Sequence, residues 1–338
     1  MRHRLKDVAE RAGVSVKTVS NVVNGYQHVR PDTRARVEQA IAELRYRPNL
    51  SARNLRKGRT GVIALAGPEL DAPSFAELAR HVVTAAAELG WTVLIGQTGG
   101  GPERERAVAA GIGGHLIDGL ILSPPALAAE DLAGLDDGTP MVLLGERVDH
   151  GPADQVTIDD VAAAREATAH LIALGRRRVA AIGARPTAEG AGARLRLAGY
   201  AAALAEAGIA YDERLVASAP AWRRADGAAA VRHLLTSGVR PDAVVCFDDA
   251  LALGAVRALH EAGLRVPADV AVAGFGDIED GRFSTPTLTT VAPDKERLAW
   301  LAVDLLADRV NGDRHTPPRD VSAPHRLILR ESTAPPAP

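Results

Sequence analysis

The 338-residue sequence predicts an α/β protein: an all-α helix-turn-helix headpiece followed by a two-lobed, doubly wound core. Three observations predict it. Residues 5–24, LKDVAERAGVSVKTVSNVVN, read as two short helices joined by a tight turn. Charge is split along the chain. Residues 1–60 hold 14 Lys/Arg against 5 Asp/Glu, a net +9, and the rest hold 26 against 37, a net −11, which recovers the overall −2. From Thr60 onward, short apolar runs alternate with helical stretches, the pattern of parallel sheets covered on both faces.

Composition removes several classes of function. No apolar run is long enough for a membrane span, and the N-terminus MRHRLKD lacks the apolar region of a secretory signal. A cytoplasmic protein without a membrane partner is the expectation. The single cysteine, Cys246, excludes an internal disulfide and suits a reducing compartment. Ten histidines are scattered with no metal-ligand spacing, and GxSxG and GxxxxGK[ST] are absent. No metal, no cofactor and no enzymatic activity are therefore expected. The basic head on an acidic body is the footprint of a nucleic-acid module joined to something else.

In the headpiece, Leu5, Val8, Ala9 and Ala12 recur at the spacing of one buried helix face. Gly13 ends that helix because glycine tolerates the left-handed backbone of a C-terminal turn. Ser15 is the expected N-cap of a second helix, from about Val16 to Asn24, with Val19, Val22 and Val23 inward. Val16, Lys17, Thr18, Ser20 and Asn21 then point outward, a face suited to major-groove reading; an ordinary αα-hairpin with a solvated face is the bland alternative. Pro31 opens a third helix that runs to about Arg45. Pro48 breaks the chain, and Asn49 can cap a short fourth segment, LSARNLRKG, with Ala52 and Leu55 on one face and Arg53 elsewhere. Such a segment is too short to be helical alone. It is either a basic linker or a hinge that becomes helical on DNA, with Leu55 as a minor-groove wedge.

The body supplies nine strand-like runs, at 61–67, 91–97, 118–124, 141–147, 156–160, 179–184, 214–219, 243–248 and 270–276. Helices are expected between them, among them 160–174, 193–207, 224–236 and 249–262. Two doubly wound lobes follow, and ligands of such sheets bind at the carboxyl ends of the strands. A dinucleotide-binding enzyme is disfavoured because no GxGxxG follows any of these runs.

The sequence resembles the LacI/GalR family of bacterial transcription regulators through LKDVAERAGVSVKTVSNVVNG, VRPDTRARVEQAIAELRYRPN, SARNLRKGRTGVIAL and the C-terminal RLILREST. The resemblance implies a headpiece at 1–48, a hinge at 49–59 and a periplasmic-binding-protein-like core at 60–338, with an N-lobe at about 61–159 and 290–320 and a C-lobe at about 160–288 and 321–332. It implies a homodimer on a palindromic operator in double-stranded DNA, with repression of carbohydrate genes controlled by a sugar-like effector between the lobes. Lys17 would read a base and Asn21 a base or a phosphate, Thr18 and Ser20 would hold phosphates, and Tyr26, Asn49 and Arg53 would contact backbone or minor groove. Ser15, Val16, Ala52 and Leu55 complete the expected DNA face.

For the effector, the resemblance points to Phe75, Arg196, Trp222 and Asp248, with Glu146 and Asp159 as further candidates at strand ends. An arginine fork can hold vicinal hydroxyls or a carboxylate, and Trp222 could stack on a sugar face. Of the pair Asp248 and Asp249, the second is expected to cap the following helix. One departure stands out. Where the family reads GFDD or GYDD, this chain reads Gly274-Phe275-Gly276-Asp277, so Gly276 supplies no side chain and Asp277 takes the structural part. A non-sugar effector, a vestigial cleft and a plain cytoplasmic sugar-binding protein remain the alternative readings.

Overall fold

The computed structural model describes residues 4–333 except 24, 25, 27, 45, 47–58, 113–116, 135–137, 146, 147, 149, 150, 186–190, 220 and 313–315. The hinge candidates Asn49, Ala52, Arg53 and Leu55 and the cleft candidate Glu146 lie outside the described residues. The chain divides into two compact units, Met1–Gly61 and Val62–Pro338.

In the first unit, α1 (Leu5–Ala12) ends at Gly13, which is left-handed at φ 64°. The Ser15 hydroxyl accepts the Thr18 N–H at 3.1 Å and so caps α2 (Val16–Val23). Pro31 opens α3 (Pro31–Glu43), which stops short of the expected Arg45. Val8, Val19 and Val37 are fully buried where the three helices meet, and each such side chain contributes roughly 1.5–3 kcal/mol. Tyr46, not anticipated in the core, is buried there too, its N–H donating to the Ile41 carbonyl at 2.9 Å. Val23 is only partly buried.

The second unit begins with β1 (Val62–Gly67), α4 (Pro73–Glu88), β2 (Thr92–Gln97), α5 (Pro102–Ile112), β3 (Gly119–Leu122), α6 (Ala129–Ala133), β4 (Met141–Leu144) and β5 (Asp154–Thr157). It continues through α7 (Asp160–Ala173), β6 (Val179–Ala184), α8 (Ala191–Glu206), β7 (Val216–Ser218), α9 (Arg224–Thr236), β8 (Ala243–Cys246), α10 (Asp249–Glu261) and β9 (Ala271–Phe275). It ends with α11 (Glu279–Phe283), β10 (Thr289–Pro293), α12 (Lys295–Val310), β11 (Asp320–Ser322) and β12 (His325–Ile328).

The strands form two six-stranded sheets, ordered β11-β5-β4-β3-β1-β2 and β12-β10-β9-β8-β6-β7. All pairings are parallel except β12 against β10. Central strands such as VIALAG and AVVC are buried on both faces, which is why they read as continuous apolar runs rather than alternating ones. Helices α9 and α10 approach so closely that a Cβ on Gly254 would lie 1.9 Å from the Arg224 carbonyl oxygen.

Three differences from the expected layout have physical causes. β10 pairs with β9 and belongs to the second sheet, so the chain returns to the first lobe only after Pro293, later than the expected 290. The run expected at 156–160 ends as a strand at Thr157, because the Asp159 carboxylate accepts the Ala162 N–H at 2.9 Å and starts α7. β10 and the short β11 carry little apolar pattern of their own and gain strand structure by pairing. In the first lobe, buried Asp154 binds Arg309 of α12 and Arg319 before β11, each at 2.6–3.0 Å. The REST segment anchors the second lobe: Ser332 accepts the Thr289 N–H at 2.8 Å and donates to the Val272 carbonyl at 2.6 Å.

Candidate functional site

Within the second unit, the loops after the parallel strands of both sheets converge on one cleft of about 710 Å³. Pro68 after β1, Gly99 after β2, Ser123 after β3 and Gly145 after β4 face it from the first lobe. Arg185 after β6, Trp222 after β7, Asp248 after β8 and Gly276 after β9 face it from the second. Placement at the carboxyl ends follows from the parallel topology, which turns every strand-to-helix loop the same way.

Phe75, Arg196, Trp222 and Asp248 all line this cleft. Phe75 sits in the first turn of α4 with its ring against Gly67, where any side chain would overlap it. It is both core and cleft wall. Arg196 donates to the Asp160 carboxylate at 2.8 Å and to the Phe247 carbonyl, and its guanidinium lies 3.7 Å from the Phe275 ring centroid and 5.1 Å from that of Trp222. Its orientation is therefore fixed before any ligand arrives. Trp222 has left-handed backbone at φ 52°, and its indole N–H donates to the Gly183 carbonyl at 3.0 Å. A bulky residue in that conformation is uncommon and is held by its surroundings.

The aspartate pair divides its work differently from the expectation. Asp248, not Asp249, caps α10: its carboxylate accepts the Ala250 N–H at 2.7 Å, and its second oxygen faces the Ser74 hydroxyl at 3.5 Å. Burial pushes the Asp248 carboxyl above its ordinary value, against the opposing pull of its bonds. Asp249 is fully buried and accepts from Thr290 at 2.6 Å and from the Ile278 N–H at 3.0 Å. Burial, with the neighbouring Asp248 charge, pushes it up to about 7. The reason is geometric: the extended backbone of Asp248 turns its side chain over the helix end, and that of Asp249 points into the lobe.

Asp277 is structural. Burial pushes its carboxyl up, but Arg330 at 2.6 Å and Arg282 at 2.7 Å hold it below the usual carboxylate range. Gly276, at φ 132°, faces Ser74, whose hydroxyl would lie 3.0 Å from a Cβ placed there. Asp159 does not reach the cleft; its carboxylate is committed to the α7 N-terminus.

Several contacts join the two lobes. Arg223 at the start of α9 binds Glu69 after β1 at 2.5 and 3.2 Å. Glu77 of α4 accepts the Glu279 N–H at 2.9 Å and pairs with Lys295. Neither these nor Arg185 were anticipated. Arg185 could have been found, since it directly follows an apolar strand run; Glu69, Ser74 and Lys295 carry no such signal.

In the headpiece, Ser15, Val16 and Lys17 are exposed on α2, with Thr18, Ser20 and Asn21 half-buried beside them. Tyr26 is 54% exposed and its ring meets His28 edge-on at 5.4 Å. Among the described residues, no helix is long and apolar enough to cross a membrane, and no cluster of His, Cys, Asp and Glu is placed to hold a metal.

Residues 4–49 match the family model described as bacterial regulatory proteins, lacI family, and residues 168–333 match a periplasmic binding protein-like domain. The HTH-type transcriptional repressor PurR of Erwinia tasmaniensis is 34% identical over 333 residues, covering 98% of this chain and 96% of the relative. A transcriptional regulator CelR–cellobiose complex is 33% identical with a TM-score of 0.72, covering 98% of this chain and all of that one. A Lac repressor dimer bound to operator and the anti-inducer ONPF is 31% identical with a TM-score of 0.85, covering 98% and 99%. These relatives are regulators, not enzymes. With its helix-turn-helix headpiece and two-lobed core, the chain belongs to the LacI family of DNA-binding transcriptional repressors.

Proposed function

We propose that this repressor binds a palindromic operator as a homodimer in the cytoplasm and answers to a small sugar-like effector in the interlobe cleft, controlling genes of carbohydrate use. The observation that carries the effector reading is the cleft. Its volume falls in the roughly 300–1,000 Å³ range of small-molecule sites. Its walls offer two aromatic rings, Phe75 and Trp222, beside the oriented polar groups of Arg196 and Asp248. Flat apolar faces next to hydrogen-bonding groups suit a sugar ring, and the CelR relative was solved with cellobiose.

On DNA, Lys17 donates to guanine and Asn21 to adenine, while Thr18 and Ser20 hold phosphates. Ser15 and Val16 fit the groove at the helix start, and Tyr26 contacts the backbone. Asn49, Ala52, Arg53 and Leu55 form the hinge that reads the operator centre. The dimer reading is supported by β2, an edge strand that exposes Leu94 at 48% and Ile95 at 47%, with Val83 and Leu89 of the α4 region also exposed. An apolar edge strand left in water is an association hazard unless it is covered. A second copy of the chain is the natural cover.

Fluorescence anisotropy on duplex DNA from the gene's own upstream region, with and without a panel of sugars, tests the reading. Tight, salt-sensitive binding that one compound alters supports it. Binding that no compound alters leaves a repressor with a vestigial cleft. The effector must favour one lobe arrangement over the other to alter anything. The Arg223–Glu69 and Glu77–Glu279 contacts are what such a ligand would add to or compete with.

A further inference from the structure

Among the described residues, every cationic side chain that lines the cleft is paired with a carboxylate except one. Arg196 pairs with Asp160 at 2.8 Å, Arg223 with Glu69 at 2.5 Å, Arg224 with Asp280 and Lys295 with Glu77. Arg185 has no ion pair among the described residues, and its buried Nε has no hydrogen-bond partner. Its guanidinium carbon lies 5.1 Å from the Trp222 ring centroid, at the carboxyl end of β6. A guanidinium cannot shed its proton to escape such a place. Contact with the indole face offsets part of the cost, but gives Nε no acceptor among the described residues.

On the same lobe, the loop after β9 brings Gly276 to the cleft. The glycine offers no acceptor and adds no negative charge. Among the described residues, Arg185 is thus a cleft cation that no carboxylate engages, although Asp71 and Asp248 also line the cleft.

We infer that the effector carries an acid group, a carboxylate or phosphate on a sugar-sized body, which docks on the Arg185 fork beside Trp222. This deepens the effector reading proposed above and rests on it. Arg185 is the specificity residue: a planar fork matches carboxylate and phosphate oxygens two at a time, and a charge-assisted pair is roughly twice as strong as a neutral hydrogen bond. Trp222 positions it, being itself fixed by its bond to the Gly183 carbonyl.

The test is isothermal titration calorimetry of the full chain with D-glucuronate, D-galacturonate, D-glucose 6-phosphate and inorganic phosphate, against D-glucose and D-galactose. At least one acid should bind the wild type about tenfold more tightly than its neutral parent, and Arg185→Gln should remove that preference. Arg185→Lys, which keeps the charge and loses the fork, should recover part of it. The unfolding temperature of Arg185→Gln should stay near wild type, since no ion pair is lost. The inference is overturned if no acid binds, if a neutral sugar binds as tightly, or if Arg185→Gln keeps the preference. Lower thermal stability with unchanged acid affinity would make Arg185 structural and overturn it too. An acid that binds through Arg185 without altering operator affinity refutes the proposed effector control, not the site. A neutral sugar that releases the operator does the reverse.

Discussion

Replacing Arg196 with alanine should destabilise the core as well as silence the effector response. The side chain is 12% exposed, its partner Asp160 is 1% exposed, and the remaining oxygen of Asp160 has no partner. Removing the guanidinium therefore leaves a buried carboxylate with no compensation, which costs roughly 3–5 kcal/mol. The Phe247 carbonyl loses a donor and the Phe275 ring loses its cation, together about 1–2 kcal/mol more. For a core of this size each kcal/mol lowers the unfolding temperature by roughly 2–4 °C, so a drop of about 10 °C or more is expected. Calorimetry of Arg196→Ala, Asp160→Asn and the double variant measures it. Because neutralising Asp160 removes the stranded charge, the double variant should be more stable than Arg196→Ala alone. A single variant within about 0.5 kcal/mol of wild type, or a double variant that is merely additive, would refute this account.

Other outcomes follow from the same geometry. Asp154 is depressed from 3.8 to about 2, its bonds to Arg309 and Arg319 outweighing burial, and this corresponds to roughly 2 kcal/mol of stability. Because the folded value is lowered, that stability is present above about pH 4 and is lost as pH falls through about 2. Asp154→Asn should remove this acid transition and weaken the core at neutral pH, as denaturant unfolding across pH will report. Asp249 has the opposite sign: raised to about 7 by burial and by Asp248, it favours folding fully below about pH 4 and loses that contribution as pH climbs through about 7. Asp249→Asn should flatten the slope of stability between those limits, and an unchanged slope would show that another group titrates. Replacing Leu94 and Ile95 together with arginine should yield monomers by sedimentation velocity and weaken operator binding; a dimer that persists would place the interface elsewhere.

Much of the chain was legible in its sequence. The 3.6-residue spacing of Leu5, Val8, Ala9 and Ala12, the glycine at 13 and the serine at 15 specify two helices and their turn through local physics alone. The apolar runs of the body specify parallel strands because only strands buried on both faces are apolar throughout. The topology rule then fixes where strand ends lie without naming any contact, and the family resemblance points to Arg196, Trp222 and Asp248, which line the cleft those ends form.

Contacts between distant segments were decided only by the tertiary structure. The sequence could not say that Asp248 rather than Asp249 caps α10, because both follow the same strand and differ only in where their backbone turns them. It could not separate Asp159, committed to a helix end, from a cleft acid at the same kind of position. Nor could it assign β10 to the second sheet, because TTVAP becomes a strand by pairing with β9 and β12 rather than by its own pattern. Which arginine is left unpaired is likewise invisible along the chain. Arg185 and Arg196 are eleven positions apart with the same side chain. Only the fold brings Asp160 to one of them and leaves the other facing the cleft, since pairing depends on distance in space and the sequence records distance along the backbone.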